Sequence, residues 1–364
     1  MGAIQAINLS PGTGTKIAIQ LEYQTIGNRM HRLAKIRSGK PDFYPDQSIY
    51  AEYACAEFGL TFDDISAGAG LVFSVRADGN SLHFGAGRCS WYPQNNATAS
   101  TLASDKYLTN AILERAGIAT LGGDYFFLHD RHRALRPAGH ERADAFAYFS
   151  TLGATGFVKP LFGSRGDFAQ PVHGEAALAR YLDEVSHYYD SILLQPLACG
   201  TEYRVFLLDD EVVYTARKYP PSVSGDGARS IRDLLIAHNA GLRSRGLSPV
   251  SITAGPDDSL EAVLAKGRSW EIPGRMNLSA GGTVVLEALA GEAPLFVARQ
   301  AARAVGLRVA AVDLFTGVGG KPDAAAMIEV NSNPSIRLLE QSGRGDLILK
   351  IWHHTFSAMG LLVV

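Results

Sequence analysis

Between Leu307 and Ser335 the chain reads LRVAAVDLFTGVGGKPDAAAMIEVNSNPS, and this stretch constrains the rest. Two short apolar runs, Val309–Phe315 and Ala326–Val330, are predicted strands, joined by a loop of Gly, Pro and Asp. Each carries polar chemistry into an apolar setting. Asp313 lies inside AAVDLF, where an uncompensated carboxylate would be costly to bury. Glu329 and Asn331 stand two residues apart, so strand alternation puts both on one face. Antiparallel pairing would bring three oxygen-bearing side chains together. Hard oxygens with one or two carboxylates suit magnesium held jointly with substrate phosphates. The same residues would also suit a structural network in which Asp313 and Glu329 pair with arginines. The two strands alone leave both readings open.

Composition narrows the class. A chain of 364 residues, 46% hydrophobic and 19% charged, can bury a large core and is expected to form more than one domain. The net charge of −2 comes from mixed acids and bases, with no basic tract for nucleic acid and no acidic tail. Cys55, Cys89 and Cys199 are isolated, which favours a reducing compartment over a disulfide framework. The start, MGAIQAINLSPGTGTK, has no basic head or long apolar run, and Ala6 stands where myristoylation wants Ser or Thr. No segment has the length of a membrane span. A soluble cytoplasmic protein without nucleic-acid or membrane partners is the expectation. Two stretches imitate a phosphate loop, PGTGTK (Pro11–Lys16) and GVGGKP (Gly317–Pro322). Neither has the GxxxxGK[ST] spacing, and both read as turns.

Residues 1–100 mix β-like runs (Thr15–Gln24, Leu71–Arg76) with a helix over Gln47–Phe58. In SDKYLTNAILERAGI, Ser104 is the expected N-cap, Asp105 lies in the first turn and Gly117 is the stop. Lys106 then sits where a cation opposes the helix dipole, a tension that a bound anion would resolve and that an exposed lysine would merely tolerate. GATGFVKPLFGSRGDF places Lys159 in a buried strand end, Phe157–Pro160. A loop containing Gly163, Ser164 and Gly166 follows, whose free N–H groups could cradle phosphate. Glu175–Tyr189 reads as an amphipathic helix and Ile192–Gln195 as a strand ended by Pro196. A hairpin follows, Tyr203–Leu208 and Val212–Arg217, with Glu202, Arg204, Arg217 and Lys218 at its open end, either a site or a solvated rim. Tyr219–Gly282 is read as a mobile cover, with a helical piece over Ser230–Ala240. Leu295–Val305 is a helix stopped by Gly306, and residues 343–362 supply a terminal helix.

Taken in order, SDK (Ser104–Lys106), VKPLFGSRG (Val158–Gly166), GTEYRVFLL (Gly200–Leu208), SGDGARSIRDLL (Ser224–Leu235), NLSAGG (Asn277–Gly282), AAVDLF (Ala310–Phe315) and IEVNSNPS (Ile328–Ser335) resemble the ATP-grasp superfamily. The chain looks most like the ATP-grasp domain of cyanophycin synthetases and their glutathione-type relatives, from about His83 onward. FGAGRCSWYPQNNATASTLASDK (Phe84–Lys106) resembles the approach segment of the same enzymes. The resemblance implies an α+β fold in which ATP is clamped between two α+β subdomains, preceded by an N-terminal α/β domain. The expected boundaries are 1–100, 101–190 and 191–364, the last including the cover over 219–282.

By position, Lys106 and Lys159 match the phosphate-binding lysines, and Gly163, Ser164 and Gly166 the phosphate-covering loop. Gln195 to Leu197 match the adenine hinge, and Glu202 the ribose contact. Arg204, Arg217 and Arg275 match the basic residues around the transferred phosphoryl group, and Asp313, Glu329 and Asn331 the ligands of magnesium, with two ions expected. The implied activity is ATP-dependent ligation of a carboxylate to an amine through an acyl phosphate, on small molecules such as amino acids. A peptide or protein carboxylate, or phosphoryl transfer without ligation, are the alternatives, and a homo-oligomer is compatible with the resemblance. Three departures stand out. Phe168 replaces a glycine usual in the cyanophycin-type loop, and Gln195 replaces the more usual acid at the hinge. There is also no room for the Mur-ligase-like domain of a complete cyanophycin synthetase.

Overall fold

The computed structural model describes residues 30–85, 90–163, 166–244, 249–250, 259–272, 281–321 and 324–362. The expected run Thr15–Gln24, the loop residue Ser164, and Arg275 with Asn277 of the NLSAGG motif lie outside them. The chain divides into two compact units, one made of residues 1–94 and 335–364, the other of 95–334. The terminal segment therefore belongs with the N-terminal residues, where the sequence reading assigned it to the C-terminal subdomain.

In the first unit, a helix over residues 30–38 (α1) and α2 (Asp46–Phe58) precede a three-stranded antiparallel sheet, β1 (Thr61–Asp64), β2 (Val72–Ala77) and β3 (Asn80–Gly85). Phe73 stacks against Phe62, Phe84 and Trp91, and Trp352 packs on Phe73, Phe84 and Tyr92. Rings of this area are a large apolar payload, which explains how so small a sheet is held. Arg37 binds both carboxylate oxygens of Glu340 (Nε–Oε1 2.6 Å, Nη2–Oε2 2.5 Å) and lies 2.8 Å from Asp46.

The second unit contains two antiparallel sheets. After α3 (Ala97–Ser104) and α4 (Lys106–Arg115) come β4 (Asp124–Phe127), α5 (Arg142–Thr151), β5 (Thr155–Pro160), β6 (Gln170–His173), α6 (Glu175–Val185) and β7 (Ser191–Gln195), with sheet order β4-β7-β5-β6. Leu178, Tyr181, Leu182 and Val185 of α6 recur at helical spacing and bury against Phe126, Val158 and Ile192. Ser104 ends α3, and Asp105 caps α4 instead, accepting from the Leu108 N–H at 2.9 Å. The cap is the residue that leaves helical geometry, and here that is Asp105, not Ser104.

The second sheet has the order β12-β9-β8-β13-β14, from β8 (Thr201–Leu208), β9 (Glu211–Tyr219), β12 (Thr283–Leu286), β13 (Val309–Thr316) and β14 (Ala325–Asn331). One face packs Tyr203, Val205, Leu207, Val312, Leu314 and Met327 against Ala298, Ala301 and Val305 of α8 (Glu292–Val305). Between β9 and β12 the chain builds β10 (Ser222–Ser224), α7 (Ile231–Ser244) and β11 (Ser269–Glu271), with a small core of Val223, Ile231, Leu235, Leu242 and Ile272. Helices α9 (Arg337–Gln341) and α10 (Gly345–Ala358) close the chain in the first unit.

Buried Asn95 ties together the ends of β13 and β14. Its amide oxygen accepts from the N–H groups of Arg308 (2.8 Å) and Val309 (2.9 Å). Its amide nitrogen donates to the carbonyls of Val309 (2.8 Å) and Ser332 (3.0 Å). Asn95→Leu would leave those backbone groups unmet, and an expected loss of about 2–4 kcal/mol should appear as a lower urea midpoint at unchanged m-value.

Candidate active site

The face of the second sheet opposite α8 carries the charge. Asp313 is Cα partner to Arg204 on one side and to Glu329 on the other, so three ionisable residues form one row across β8, β13 and β14. Asp313 has no exposed surface. Arg204 grips it through Nε–Oδ1 and Nη2–Oδ2, both 2.8 Å, and Lys218 Nζ reaches Oδ2 at 2.8 Å. Burial by itself would raise this carboxyl, but the Arg204 and Lys218 charges hold it below the usual carboxylate range. Lys218 also donates to Glu202, whose carboxyl is raised because burial outweighs that cation. Asp313 is thus a counter-ion of Arg204 and Lys218, and the arginine pairing left open by the sequence describes it, with a lysine added.

Glu329 is differently placed. Asn331 Nδ2 donates to Glu329 Oε1 (3.2 Å) and to the Ala311 carbonyl (3.4 Å), an orientation that leaves Asn331 Oδ1 free to accept. Among the described residues no hydrogen bond reaches that oxygen or Glu329 Oε2. Two adjacent hard oxygens without protein donors fit magnesium shared with phosphate. Among the described residues no group of three His, Cys, Asp or Glu side chains is arranged to hold a metal ion, in keeping with the commitment of Asp313 to its cations.

Two lysines add positive charge, Lys159 on β5 and Lys106 in the first turn of α4. Lys159, on β5 opposite Leu193, is 5% exposed and forms no hydrogen bond or ion pair among the described residues. Burial drives its ammonium down to about 8, against the pull of the Glu329 carboxylate. Lys106 Nζ donates to the carbonyls of Leu161 (3.2 Å) and Gly163 (3.1 Å), and burial lowers it too, again against Glu329. An unpaired buried ammonium is costly unless an anion joins it.

Beyond Lys159, Gly163 and Gly166 flank the loop. Phe168 adopts φ 52°, the left-handed region that glycine favours, and packs on Tyr188 and Tyr189 at ring distances of 5.3 and 6.0 Å. The aromatic contacts offset the conformational cost of a side chain at this positive φ. At the end of β7, Gln195 is 1% exposed. Its amide nitrogen donates to the Gly122 carbonyl at 2.6 Å, while Oε1 is buried with no partner among the described residues. An orphaned buried acceptor fits an incoming donor such as the amino group of adenine. Gly123 makes this close approach possible, since a Cβ there would fall 2.6 Å from the Leu194 carbonyl oxygen. Leu197 is 43% exposed beside it.

The structure brings together Lys106, Lys159, Glu202, Arg204, Asp313, Glu329 and Asn331. It does not bring Arg217. That guanidinium lies on the α8 side of the sheet, 3.3 Å from Glu287 and over the Tyr219 ring at 4.6 Å. Lys218, also at the hairpin mouth, takes the place expected of Arg217. The cause is a bulge. Leu207 pairs with Val212 but Phe206 with Tyr214, so the extra residue Val213 reverses the alternation along β9.

No family model matches the chain. It is 27% identical over 259 residues to a cyanophycin synthetase of Synechocystis sp., covering 65% of this chain and 28% of that protein. It is 26% identical over 251 residues to the glutathione biosynthesis bifunctional protein of Desulfotalea psychrophila, covering 64% and 31%. A crystal structure of a bifunctional glutathione synthetase from Pasteurella multocida overlays with a TM-score of 0.48 at 18% identity, covering 84% and 43%. The chain spans less than a third of the length of the two sequence relatives. Among the described residues no helix is long and apolar enough to cross a membrane. In its seven ordered motifs, which resemble the ATP-grasp superfamily, and in these sequence similarities, the chain is similar to cyanophycin synthetases and glutathione biosynthesis bifunctional proteins.

Proposed function

We propose that the protein is an ATP-dependent carboxylate–amine ligase acting on small molecules of the amino-acid class. The observation that carries the reading is Lys159, a buried ammonium without a counter-ion beside a carboxylate and amide pair that has oxygens to spare. A nucleotide's terminal phosphates answer both needs, pairing with the lysines while sharing magnesium with Glu329 and Asn331. Bound magnesium would supply charge neutralisation on those phosphates.

The residues of the chain then divide the work. Gln195 Oε1 accepts from the base, and Lys106 and Lys159 hold the phosphates. Lys218 and Arg204, fixed on Asp313, present positive charge to the group in transfer. A substrate carboxylate oxygen attacks the γ-phosphorus, the bond to the bridging oxygen breaks, and ADP leaves an acyl phosphate. An amine then displaces phosphate to give the amide. Backbone N–H groups at Gly281–Gly282 are the described candidates for steadying the tetrahedral oxyanion. Arg275, assigned to the same region by resemblance, remains part of the proposal.

Glu329→Gln keeps the size of the side chain and removes the charge that favours the cation. Magnesium-dependent ADP release should fall about 10²–10³-fold with an unchanged circular dichroism spectrum. A fully active variant would remove Glu329 from the site. The reaction class is tested by incubating ATP, Mg2+ and an equimolar mixture of the twenty common amino acids with hydroxylamine. Hydroxamate formation supports an acyl phosphate, whereas phosphoryl transfer to a hydroxyl would give none.

A further inference from the structure

Tyr214 on β9 is 7% exposed, and its ring stacks on that of Phe206, 5.1 Å away with the planes 19° apart. Among the described residues its hydroxyl forms no hydrogen bond. A buried hydroxyl without a partner is costly, and an incoming acceptor would relieve it. Strand register puts this ring on the charged face of the second sheet. Tyr214 is Cα partner of Phe206, Phe206 of Ala311, and Ala311 of Asn331. That row lies two residues along each strand from the row of Arg204, Asp313 and Glu329, so both face the same way. Tyr214 and Arg204 are therefore diagonal cross-strand neighbours, about 7–8 Å apart. The charges of Arg204 and Asp313 both act on the phenol, and burial raises it well above its ordinary range, so it stays protonated and able to donate. Arg204 gives Nε and Nη2 to Asp313, and among the described residues its Nη1 makes no hydrogen bond. A phenol O–H and a guanidinium N–H on diagonal positions suit a carboxylate.

The order of rows along β8 gives the face a direction. β7 ends at Gln195 and β8 begins at Thr201, and Gly200 holds the connection against the end of β13. A Cβ on Gly200 would fall 2.7 Å from the Thr316 carbonyl oxygen and 2.9 Å from Phe315 Cβ, and Phe315 is Cα partner of Glu202. The Glu202 end of the sheet is thus the end nearest the hinge. Lys159 feels the charges of Glu329, Glu202 and Lys218, which puts the phosphates it would answer over those residues. A nucleotide running from Gln195 past Glu202 to the oxygens of Glu329 and Asn331 ends at the border of the Tyr214 row. A group attacking its γ-phosphorus from the far side comes from over Tyr214 and Phe206.

We propose that Tyr214 holds the substrate carboxylate that is to be activated, an assignment that rests on the ligase reading above. Its hydroxyl donates to one carboxylate oxygen while the other attacks the γ-phosphorus. The bond from phosphorus to the bridging oxygen breaks, and ADP leaves with that electron pair. The tyrosine gives up no proton in this step. Once the acyl phosphate has formed, the same hydroxyl donates to its carbonyl oxygen, where negative charge gathers as the amine adds. Fully buried Phe206, stacked on the phenol, fixes its position on the strand.

Tyr214→Phe keeps the ring on Phe206 and removes only the hydroxyl. ATP, Mg2+ and hydroxylamine are held fixed while the mixture of twenty amino acids is varied, and the initial rate of hydroxamate formation is measured by mass spectrometry. At subsaturating mixture the variant should be about 10–100-fold slower, the usual worth of a hydrogen bond to a charged group. The rise in Tm on adding ATP and Mg2+ alone should match that of wild type, which also shows that the variant is folded. An unchanged rate overturns the role of Tyr214 and leaves the ligase reading standing. A variant that no longer responds to ATP overturns it as well, because the hydroxyl would then serve the nucleotide or the fold. Absence of hydroxamate from the wild-type protein overturns the ligase reading beneath it.

Discussion

Asp313→Ala is expected to destabilise the protein by about 3–5 kcal/mol, the usual cost of removing one partner from a buried ion pair. The size follows from what stays behind. Arg204 and Lys218 both point at Asp313, and only Lys218 has a second carboxylate, Glu202. Removing the carboxylate leaves the half-buried Arg204 guanidinium without its hydrogen-bonded partner, and full exposure to water would pull β8 away from β13. Chemical denaturation should show the loss directly, and a variant within about 1 kcal/mol of wild type would mean that the row is not held by this contact. The pH dependence has a definite sign. Because the folded-state carboxyl is depressed, its contribution is complete above about pH 4 and drains as pH falls below that, so the variant should lose the difference from wild type in acid. Glu329→Gln should behave oppositely, with stability kept and activity lost. The contrast separates the residue that organises the charged row from the one whose oxygens are still available.

Lys159→Met is expected to stabilise the protein without nucleotide and to abolish its response to ATP. Burial lowers the ammonium from 10.5 to about 8, a shift worth on the order of 3 kcal/mol against folding while the lysine is charged. Met of similar length removes that cost. The unfolded chain binds the proton up to its ordinary range, and the folded one releases it near 8. Wild-type stability should therefore recover as pH rises from about 8 to 10.5, and the advantage of the variant should shrink over the same window. With ATP and Mg2+ the order reverses. Wild type should gain stability by mass action, about 2.7 kcal/mol at a hundredfold excess over the dissociation constant, and the variant little. Thermal melts with and without ATP at pH 7 and pH 10 decide it. A Lys159→Met protein that melts no higher than wild type without nucleotide, or that still shifts fully with ATP, would remove the buried ammonium as the anion site.

Much of the site was legible because strand alternation and turn residues act over a few positions. Glu329 and Asn331 share a face as their spacing requires, Asp313 is buried in its apolar run, and Lys159 sits at a buried strand end. The helix stops at Gly306 and Gly117 follow from local geometry, and both glycines have positive φ. Misreadings arose where the answer depended on a partner strand. Nothing local to VVYTARKY announces the extra residue at Val213, yet that bulge decides whether Arg217 or Lys218 reaches the charged face. A second bulge, between Asp313 and Leu314, lets Met327 join the α8 core while Glu329, two residues on, faces the other way. Asn95 gave no motif at all, because a single amide acquires meaning only when the ends of β13 and β14 come to lie beside it.

The amino-acid sequence by itself determined the resemblance to a superfamily, the α+β class and most of the residues that meet, because ordered short motifs and two-residue periodicity survive without knowledge of the fold. Only the tertiary structure decided what those residues do to one another. Among the described residues it committed Asp313 to Arg204 and Lys218, left Glu329 Oε2 open and stripped Lys159 of any counter-ion. Charge pairing and desolvation depend on distances between segments far apart in the chain, and those distances are fixed by strand register and packing.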